Sequence, residues 1–482
     1  MISSGASIRL LCATALILGT PVSYAQTSSV SVSSTPSQNL PAGNGANSFS
    51  GSVPAKLVPG RMPLSLENAI DLGLKRNLGL LLSQADTRTA RGQRWQELSA
   101  LLPQVTAGPY IAETKLNLDE LGFAPVASAF HISTSIGPFS YFDARAAVNQ
   151  SLFDWKSINA ARAASQNVKA ADYTQLDARD LVILTVGYVY FLAVADEARI
   201  ATDEAQVETA QALFNQATDQ VEAGTAADID ALRTKVELQT RQQQLIQAKN
   251  DFAIQKINVA RAIGLATSQD FDLTDKSPYQ PLDGLTVDEV LTRAYASRSD
   301  YRAAESAVRS AELSRKAAVA GYFPSLSFGA DYGNGGAHPS DSTRVYDVRG
   351  TLSIPIFTGN SVHGDIQQAD ARLEQSRERL ENLRAQVEAD VRTALLNLQS
   401  YADQVKVAQS NIALADQTLA QSRDRFSAGV TDSVEVVQSQ EAVASAHEQY
   451  ISSLYNYNFA KISLIRALGA GPQGVKEYFS GK

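Results

Sequence analysis

The chain has 482 residues, 44% of them hydrophobic, with 50 acidic against 42 basic side chains and a net charge of −8. That balance argues against a general nucleic-acid binder, which needs a basic surface to neutralise phosphates. The length allows about three domains at ~150 residues each, and a lone cysteine, Cys12, excludes a disulfide framework.

In chain order, residues 1–25 read as a secretory signal. Arg9 precedes the apolar run LLCATALILG, and Ser23-Tyr24-Ala25 offers a small-x-small cleavage site. Residues 26–62 are rich in Ser, Pro, Gly and Asn and read as a flexible leader. Outside the N-terminus no run of ~18 apolar residues stands out, so no helical membrane span is expected. Helical periodicity covers 64–101, 155–222, 227–263, 286–321 and 433–468. Between Asp365 and Ala428 no Gly or Pro interrupts a heptad-like stripe that includes Val387, Val391, Ala394, Leu398, Val405 and Leu419. A helix of that extent is roughly 80 Å long and needs partner helices to cover its stripe.

Four segments alternate instead with period two: about 104–115, 140–152, 325–333 and 345–354. In SLSFGADY, Leu326, Phe328, Ala330 and Tyr332 oppose Ser325, Ser327, Gly329 and Asp331. In YDVRGTLSI, Tyr346, Val348, Leu352 and Ile354 oppose Asp347, Arg349, Thr351 and Ser353. GNGGAHPSDST between them is turn chemistry.

The chain repeats itself. KINVARAIGL (256–265) returns as KISLIRALGA (461–470), and EAGTAADIDAL (222–232) as SAGVTDSVEVV (427–437), both 205 positions on. LSLENAIDLGL and LLPQV return 221 positions on as LTVDEVLTRAY and YFPSL, and FDARAAVNQSLFD returns 204 positions on as YDVRGTLSIPIFT. The order is kept, which defines a duplicated unit of roughly 200 residues. The division is a first repeat at 63–270, a linker at 271–284, a second repeat at 285–470 and a tail at 471–482.

A strand with one apolar and one charged face either covers a soluble core or lines a membrane barrel with lipid outside and water inside. Each run is long enough to cross a bilayer when tilted. Four strands are too few to close a barrel, and lipid does not tolerate open edges. A membrane barrel would therefore be shared by several chains.

Over about 62–470 the sequence resembles the TolC family of outer-membrane efflux proteins. The carriers are the two L(S/T)(L/V)(E/D) starts, Pro103 and Pro324 at strand entries, SLFD and PIFTG at strand exits, the tips at Gly224 and Gly429, and the paired KI…RAxG ends. The resemblance implies a mainly α fold with a small β part. Duplicated helical hairpins would form a periplasmic α-barrel, and four strands per chain would join a trimeric transmembrane β-barrel. It implies a passive homotrimeric exit duct in the outer membrane of a Gram-negative bacterium, serving a tripartite efflux or type I secretion system. A periplasmic adaptor (membrane fusion protein) and an inner-membrane transporter of RND, ABC or MFS type would open and power it. Asp143, Arg145, Asp347 and Arg349 would then face the barrel lumen, and Leu326, Phe328, Tyr332, Val348 and Leu352 the outer-membrane lipid. Near the tip, Glu435 and Gln438 match the family's inward acidic pair, with Asp230 equivalent to Glu435 in the first repeat and Phe426 and Thr431 at the gate-closing positions. Glutamine at 438 departs from the acidic pair. Gly224-Thr225-Ala226 and Gly429-Val430-Thr431 would dock the adaptor. Read simply as helix signals, Asp432 and Glu435 are an N-cap and a first-turn acid.

Two other classes stand beside the channel. His131, His338, His363 and His447 show no metal spacing, and no nucleophile elbow, P-loop or dinucleotide fingerprint appears, so neither an enzyme nor a cofactor is expected. A soluble periplasmic coiled-coil scaffold or adaptor fits the paired helices and export signal, and fits the amphipathic strands poorly.

Overall fold

The computed structural model describes residues 49–479, apart from 58, 121, 276–278 and 283. The expected signal at 1–25, with Cys12, and the leader as far as 48 lie outside the described residues. The rest of the leader is not loose. The Phe49 carbonyl accepts from Asn77 Nδ2 at 2.6 Å, Ser52 Oγ donates to the Ala262 carbonyl at 2.5 Å, and Val53 N donates to the Arg76 carbonyl at 2.9 Å. Composition missed this because the segment is held mainly by hydrogen bonds to the repeat ends, with one apolar side chain, Phe49, packed against the core. Met62–Leu64 (β1) then pairs in parallel with Phe271–Leu273 (β4). The expected linker is thus partly a strand. Its Asp275 carboxylate accepts from Leu66 N at 2.6 Å and from the buried Tyr190 hydroxyl at 3.0 Å.

The first repeat runs through α1 (Leu66–Arg76), α2 (Leu78–Ser99), β2 (Gln104–Asn117), a short α3 (Ala124–Ala129), β3 (Ser135–Phe153), α4 (Trp155–Glu222) and α5 (Asp228–Ile263). The second has α6 (Val287–Ser297), α7 (Ser299–Val319), β5 (Ser325–Gly336), β6 (Thr343–Ser353), α8 (Ser361–Ser427) and α9 (Ser433–Leu468). The expected tail holds a further helix, α10 (Gly471–Phe479), whose Phe479 ring lies 4.5 Å from the buried Lys461 ammonium. At 68 and 67 residues, α4 and α8 are each about 100 Å long. Val387, Val391, Ala394, Leu398 and Val405 of the heptad-like stripe are buried, as periodicity requires. Among the described residues, α4 is the one helix whose composition would let it cross a membrane, against the expectation of none. Half of that apolar window is buried inside the fold. Val182, Ile183, Val186 and Tyr190 sit in the main core, with Gly187 letting Ile462 of α9 approach. This is a core helix.

The segments 64–101 and 286–321, each read as one helix, are both broken, at Asn77 and at Arg298. These positions are 221 apart, the repeat offset itself. Neither break has a Gly or Pro. Asn77 is fully buried and caps α2 through Oδ1, which accepts from Gly79 N at 2.9 Å. Arg298 is 3% exposed and pairs with Asp300 at 2.6 Å and Asp390 at 2.9 Å. Each break receives the end of its own repeat. Gly264 caps α5 in the left-handed region (φ 73°), and a Cβ there would stand 2.8 Å from Arg76 Cβ. Gly469 caps α9 (φ 63°), and a Cβ there would stand 2.8 Å from Arg298 Cα. Arg76 donates to the Gly264 carbonyl at 3.1 Å, and its counterpart Ser297 donates to the Leu468 carbonyl at 2.6 Å. The repeated KI…RAxG ends are therefore two copies of one joint. In the second copy Arg466 adds contacts to Asp177 and Asp300.

The strands form one antiparallel sheet in the order β2-β3-β5-β6, so the two expected hairpins are fused across the repeats by the β3–β5 pairing. β5 runs on through Gly333–Gly336, which the sequence reads as turn, because pairing with β3 continues to Phe142↔Gly336. The β2–β3 connection carries α3, which no periodicity announces in a six-residue helix.

Gly469→Ala and Gly264→Ala should each destabilise the protein by ~1–2 kcal/mol or more, from the left-handed backbone and the blocked approach. Gly364→Ala, in open space on α8, should instead be neutral or stabilising by up to about 1 kcal/mol. Melting of the detergent-solubilised protein separates these outcomes. Burial pushes the Asp180 carboxyl up to about 6, with Asp177 nearby adding to it against the opposing pull of Arg466. A raised carboxyl pKa penalises the folded state fully above ~6, and the penalty fades as the pH falls from there to the ordinary carboxylate value of about 4. Asp180→Asn should thus raise the melting temperature at pH 8, by roughly 1–3 kcal/mol of stability, less at pH 5, and change little below about pH 4.

Candidate functional site

Two ends of the molecule carry the expected site residues. At the sheet, register places Asp143, Arg145, Asp347 and Arg349 on one face, along with Asp331 and Asn149, while Leu326, Phe328, Tyr332, Val348 and Leu352 share the other. Period two and the ladder pairings fix this separation. On the polar face Arg145 bridges Asp143 at 2.6 Å and Asp331 at 3.0 Å, and the Tyr141 hydroxyl donates to Asp143 at 2.6 Å. Arg349 stands 3.5 Å from Asp347. Glycines make room for these cations. Gly333 lies opposite Arg145 and Gly329 opposite Arg349, and a Cβ on Gly329 would come within 3.2 Å of Arg349 Nε. Asp331 as the second partner of Arg145 was not singled out from sequence. The available signal was its place on the same alternating face.

The edges of the sheet are β2 and β6. Among the described residues each pairs on one side only, β2 with β3 and β6 with β5, leaving a row of backbone donors and acceptors unspent. Side chains on both faces of β2 and β6 are largely exposed, Val105, Ile111, Tyr346, Val348 and Leu352 among them.

At the other end the hairpins turn at Gly224 (φ 72°) and Gly429 (φ 69°), where the left-handed conformation favours glycine. Thr225 and Val430 are exposed, Ala226 and Thr431 partly so. Asp432 is an N-cap in fact, accepting from Val434 N at 3.1 Å. Glu435, in the first turn of α9, accepts from the Thr431 hydroxyl and from Ser422 at 3.4 Å, and lies 3.6 Å from Arg425. Asp230 accepts from the Ser433 hydroxyl at 2.6 Å, tying the two tips together, and lies 3.8 Å from Arg233. Gln438 is exposed. Phe426, expected at a gate-closing position, is turned into the packing between the hairpins. It is 3% exposed and packs with Leu213, Ala217, Leu419 and Val436 in a small second core, because α8 turns this residue inward along its heptad stripe. Arg425, Ser422 and Ser433 were not foreseen as tip contacts. Only Arg425, a basic residue in the last turn of α8, carried a sequence signal.

Among the described residues no group of His, Cys, Asp or Glu side chains is arranged to hold a metal. The geometry offers a sheet that divides an apolar from a charged face at one end, ~100 Å helices, and polar-tied turns at the other.

Comparison with known proteins gives the same answer from another side. The model of the outer membrane efflux protein family matches residues 69–265 and 290–470, well over half of the chain and on both repeats. The pyoverdine export outer membrane protein OpmQ of Pseudomonas putida is 24% identical over 429 residues, covering 85% of this chain and 86% of that one. The toluene efflux pump outer membrane protein TtgF of the same species is 23% identical over 418 residues, covering 84% and 83%. In fold, the outer membrane channel CmeC of Campylobacter jejuni superposes with a TM-score of 0.73 at 17% identity, over 84% of this chain and 86% of that one. The chain belongs to the outer membrane efflux protein family, and it is an outer-membrane channel of an efflux or type I secretion system, neither an enzyme nor a periplasmic scaffold.

Proposed function

We propose that three copies of this chain assemble into one passive duct, each giving its four strands to a shared twelve-stranded barrel and its hairpins to a periplasmic tube. The observation that carries this reading is the sheet with two unpaired edges and opposed apolar and charged faces. Strands of 14, 19, 12 and 11 residues suffice to cross the hydrocarbon, and closure with sister copies removes the edges. The helices support the same count. Inside the chain α4 packs against α9, and their counterparts α8 and α5 are left at the two outer sides. Ile229, Leu232, Val236, Ile246, Ile254 and Ile257 of α5 and Leu396, Val407 and Leu414 of α8 are all exposed. An α8–α5 seam between copies repeats the α4–α9 seam within one. Asp143, Arg145, Asp347 and Arg349 then line the lumen, and Leu326, Phe328, Tyr332, Val348 and Leu352 meet lipid. The tips at 224–226 and 429–431 dock a periplasmic adaptor, which couples the duct to an inner-membrane transporter.

The duplication also sets the register between copies. In-chain, Ala147 lies opposite Asp331. Shifted by the repeat offsets of 204 and 221, these become Thr351 of one copy and Tyr110 of the next. Thr351→Cys combined with Tyr110→Cys should give disulfide-linked trimers on oxidation in outer-membrane preparations. Monomers or open-ended ladders would sink the closed trimer.

Three copies would bring three Glu435 carboxylates round the axis, partly neutralised by Arg425. Glu435→Ala should weaken divalent- or trivalent-cation block of conductance in planar bilayers by roughly fivefold, the effect of about 1 kcal/mol for a partly exposed charge. Arg425→Ala should strengthen it. Unchanged block in both variants would refute the ring.

A further inference from the structure

The helical hairpins enclose a cleft of about 320 Å³ where α4 of the first repeat meets α8 and α9 of the second. Its walls are Thr202 and Thr209 of α4, Leu419 and Arg423 of α8, and Gln440 and Val443 of α9. Two of these side chains are left without the partners their chemistry requires. Gln440 is 5% exposed, and both its amide oxygen and its amide nitrogen lack a hydrogen-bond partner. A buried amide in that state costs ~1–3 kcal/mol. Arg423 is half-buried, and among the described residues no carboxylate lies within 4 Å of it. Loss of solvent alone holds its guanidinium below its ordinary pKa. The other cation on the wall, Arg241, is satisfied by Glu237 at 2.5 Å. Asp416 lies on the exposed rim, where water screens it.

The duplication shows that the side chains lining this cleft are specific to one of the two repeats at each position. The positions equivalent to Thr202 and Thr209, 205 residues on, are Val407 and Leu414. Those equivalent to Arg423 and Gln440, 205 residues back, are Thr218 and Lys235. In the other repeat these positions carry larger apolar side chains, Val407 and Leu414, both exposed in the single chain, and Thr218 and Lys235 stand in place of the guanidinium and the amide. The first repeat has threonines where the second has Val and Leu, and the second repeat faces that gap with an unpaired cation and an unpaired amide.

We propose that this cleft binds a small organic carboxylate carried on a compact apolar body. The carboxylate would accept from Arg423 and from the Gln440 amide N–H, and the body would lie on Leu419 and Val443. The volume falls at the lower end of ordinary small-molecule sites. Such a ligand would bridge the two repeats and stiffen the hairpins above the tips. The site is independent of the lumen, tip and register assignments made above, so its failure leaves them standing.

The test uses the full-length protein as its detergent-solubilised oligomer, with 2-naphthoate as probe and the neutral 2-naphthylmethanol as control. Calorimetry should show saturable naphthoate binding, at least tenfold tighter than the alcohol, and the melting temperature should climb with the logarithm of naphthoate concentration. Arg423→Gln should weaken naphthoate at least tenfold and leave the alcohol unchanged. Thr209→Leu, which puts the larger side chain of the other repeat into the groove, should abolish binding. Thr202→Val serves the same purpose if the leucine variant does not assemble. Absence of saturable binding, equal affinity for acid and alcohol, or indifference to both Arg423→Gln and groove filling would overturn the proposal. So would an oligomer in which a neighbouring copy's acidic side chain already sits against Arg423. In that case Arg423→Gln would lower oligomer stability with no naphthoate binding in the parent protein.

Discussion

A β-strand in hydrocarbon has no water to satisfy its backbone, and every unpaired N–H or C=O there costs several kcal/mol. The sheet of this chain leaves β2 and β6 each with one unpaired side. Much of the molecule follows from that. The fusion of the two hairpins through β3 and β5 reduces four potential edges to two, and those two, β2 and β6, are the duplication's counterparts of β5 and β3, the strands already paired. An edge of the first repeat can therefore be met by an edge of the second repeat in another copy, through the contact already made within the chain. The polar face follows the same economy. Arg145 is held between two carboxylates, and glycines opposite the arginines keep the backbone clear of them. The register keeps these charges on one face of the sheet and the apolar side chains on the other.

The helical part depends on a second repeated joint. Each long hairpin ends in a left-handed glycine that rests on the break between two shorter helices of the same repeat. The break gives the end of the hairpin a place to sit, and the glycine lets the backbones approach to contact distance. The two copies stabilise this joint with different chemistry. The first uses an amide, Asn77, and the incoming segment 49–55. The second uses a buried arginine network of Arg298, Arg466, Asp177, Asp300 and Asp390. Equivalent geometry with unequal side chains leaves room for features that one repeat carries and the other does not, such as the arginine and the amide at the cleft of Arg423.

The sequence made the long helices, the four alternating segments and the internal duplication legible, because each is periodic. Trp155–Glu222 is bounded as its pattern indicates, and the heptad-like stripe of α8 names the residues that are buried. What periodicity does not contain is what another part of the chain imposes. The breaks at Asn77 and Arg298 have no glycine or proline, and only their tertiary partners explain them. The segment 49–57 looked too polar to fold, yet it is ordered by backbone bonds to α1 and to the end of α5. Phe426 could be aligned to a gate position, yet its side chain belongs to the stripe that packs the hairpin. At the tips, Glu435 and Asp230 were readable as acids near a turn. Their ties to Arg425, Thr431 and Ser433 were not, because those ties depend on how two hairpins lean together.

The tip contacts also bear on how such an end could open. Glu435–Arg425 at 3.6 Å is a partly exposed pair, and Asp230–Ser433 is one hydrogen bond. The exposed pair is worth about 1 kcal/mol or less and the hydrogen bond to the carboxylate roughly 1.5–3 kcal/mol. The small core of Leu213, Ala217, Leu419, Phe426, Val436 and Val443 behind them holds the hairpins more strongly, since each buried aliphatic or aromatic side chain brings ~1.5–3 kcal/mol. The polar ties and the first members of this core, Phe426 and Val436, stand next to one another in the chain, so the turns are held by both. A partner would then need only a differential affinity of a few kcal/mol to shift the tip from one arrangement to another. Polar, partly screened ties at the turn and apolar packing behind it are what a conduit needs if it is to be opened from one end and remain a rigid tube along the rest of its length.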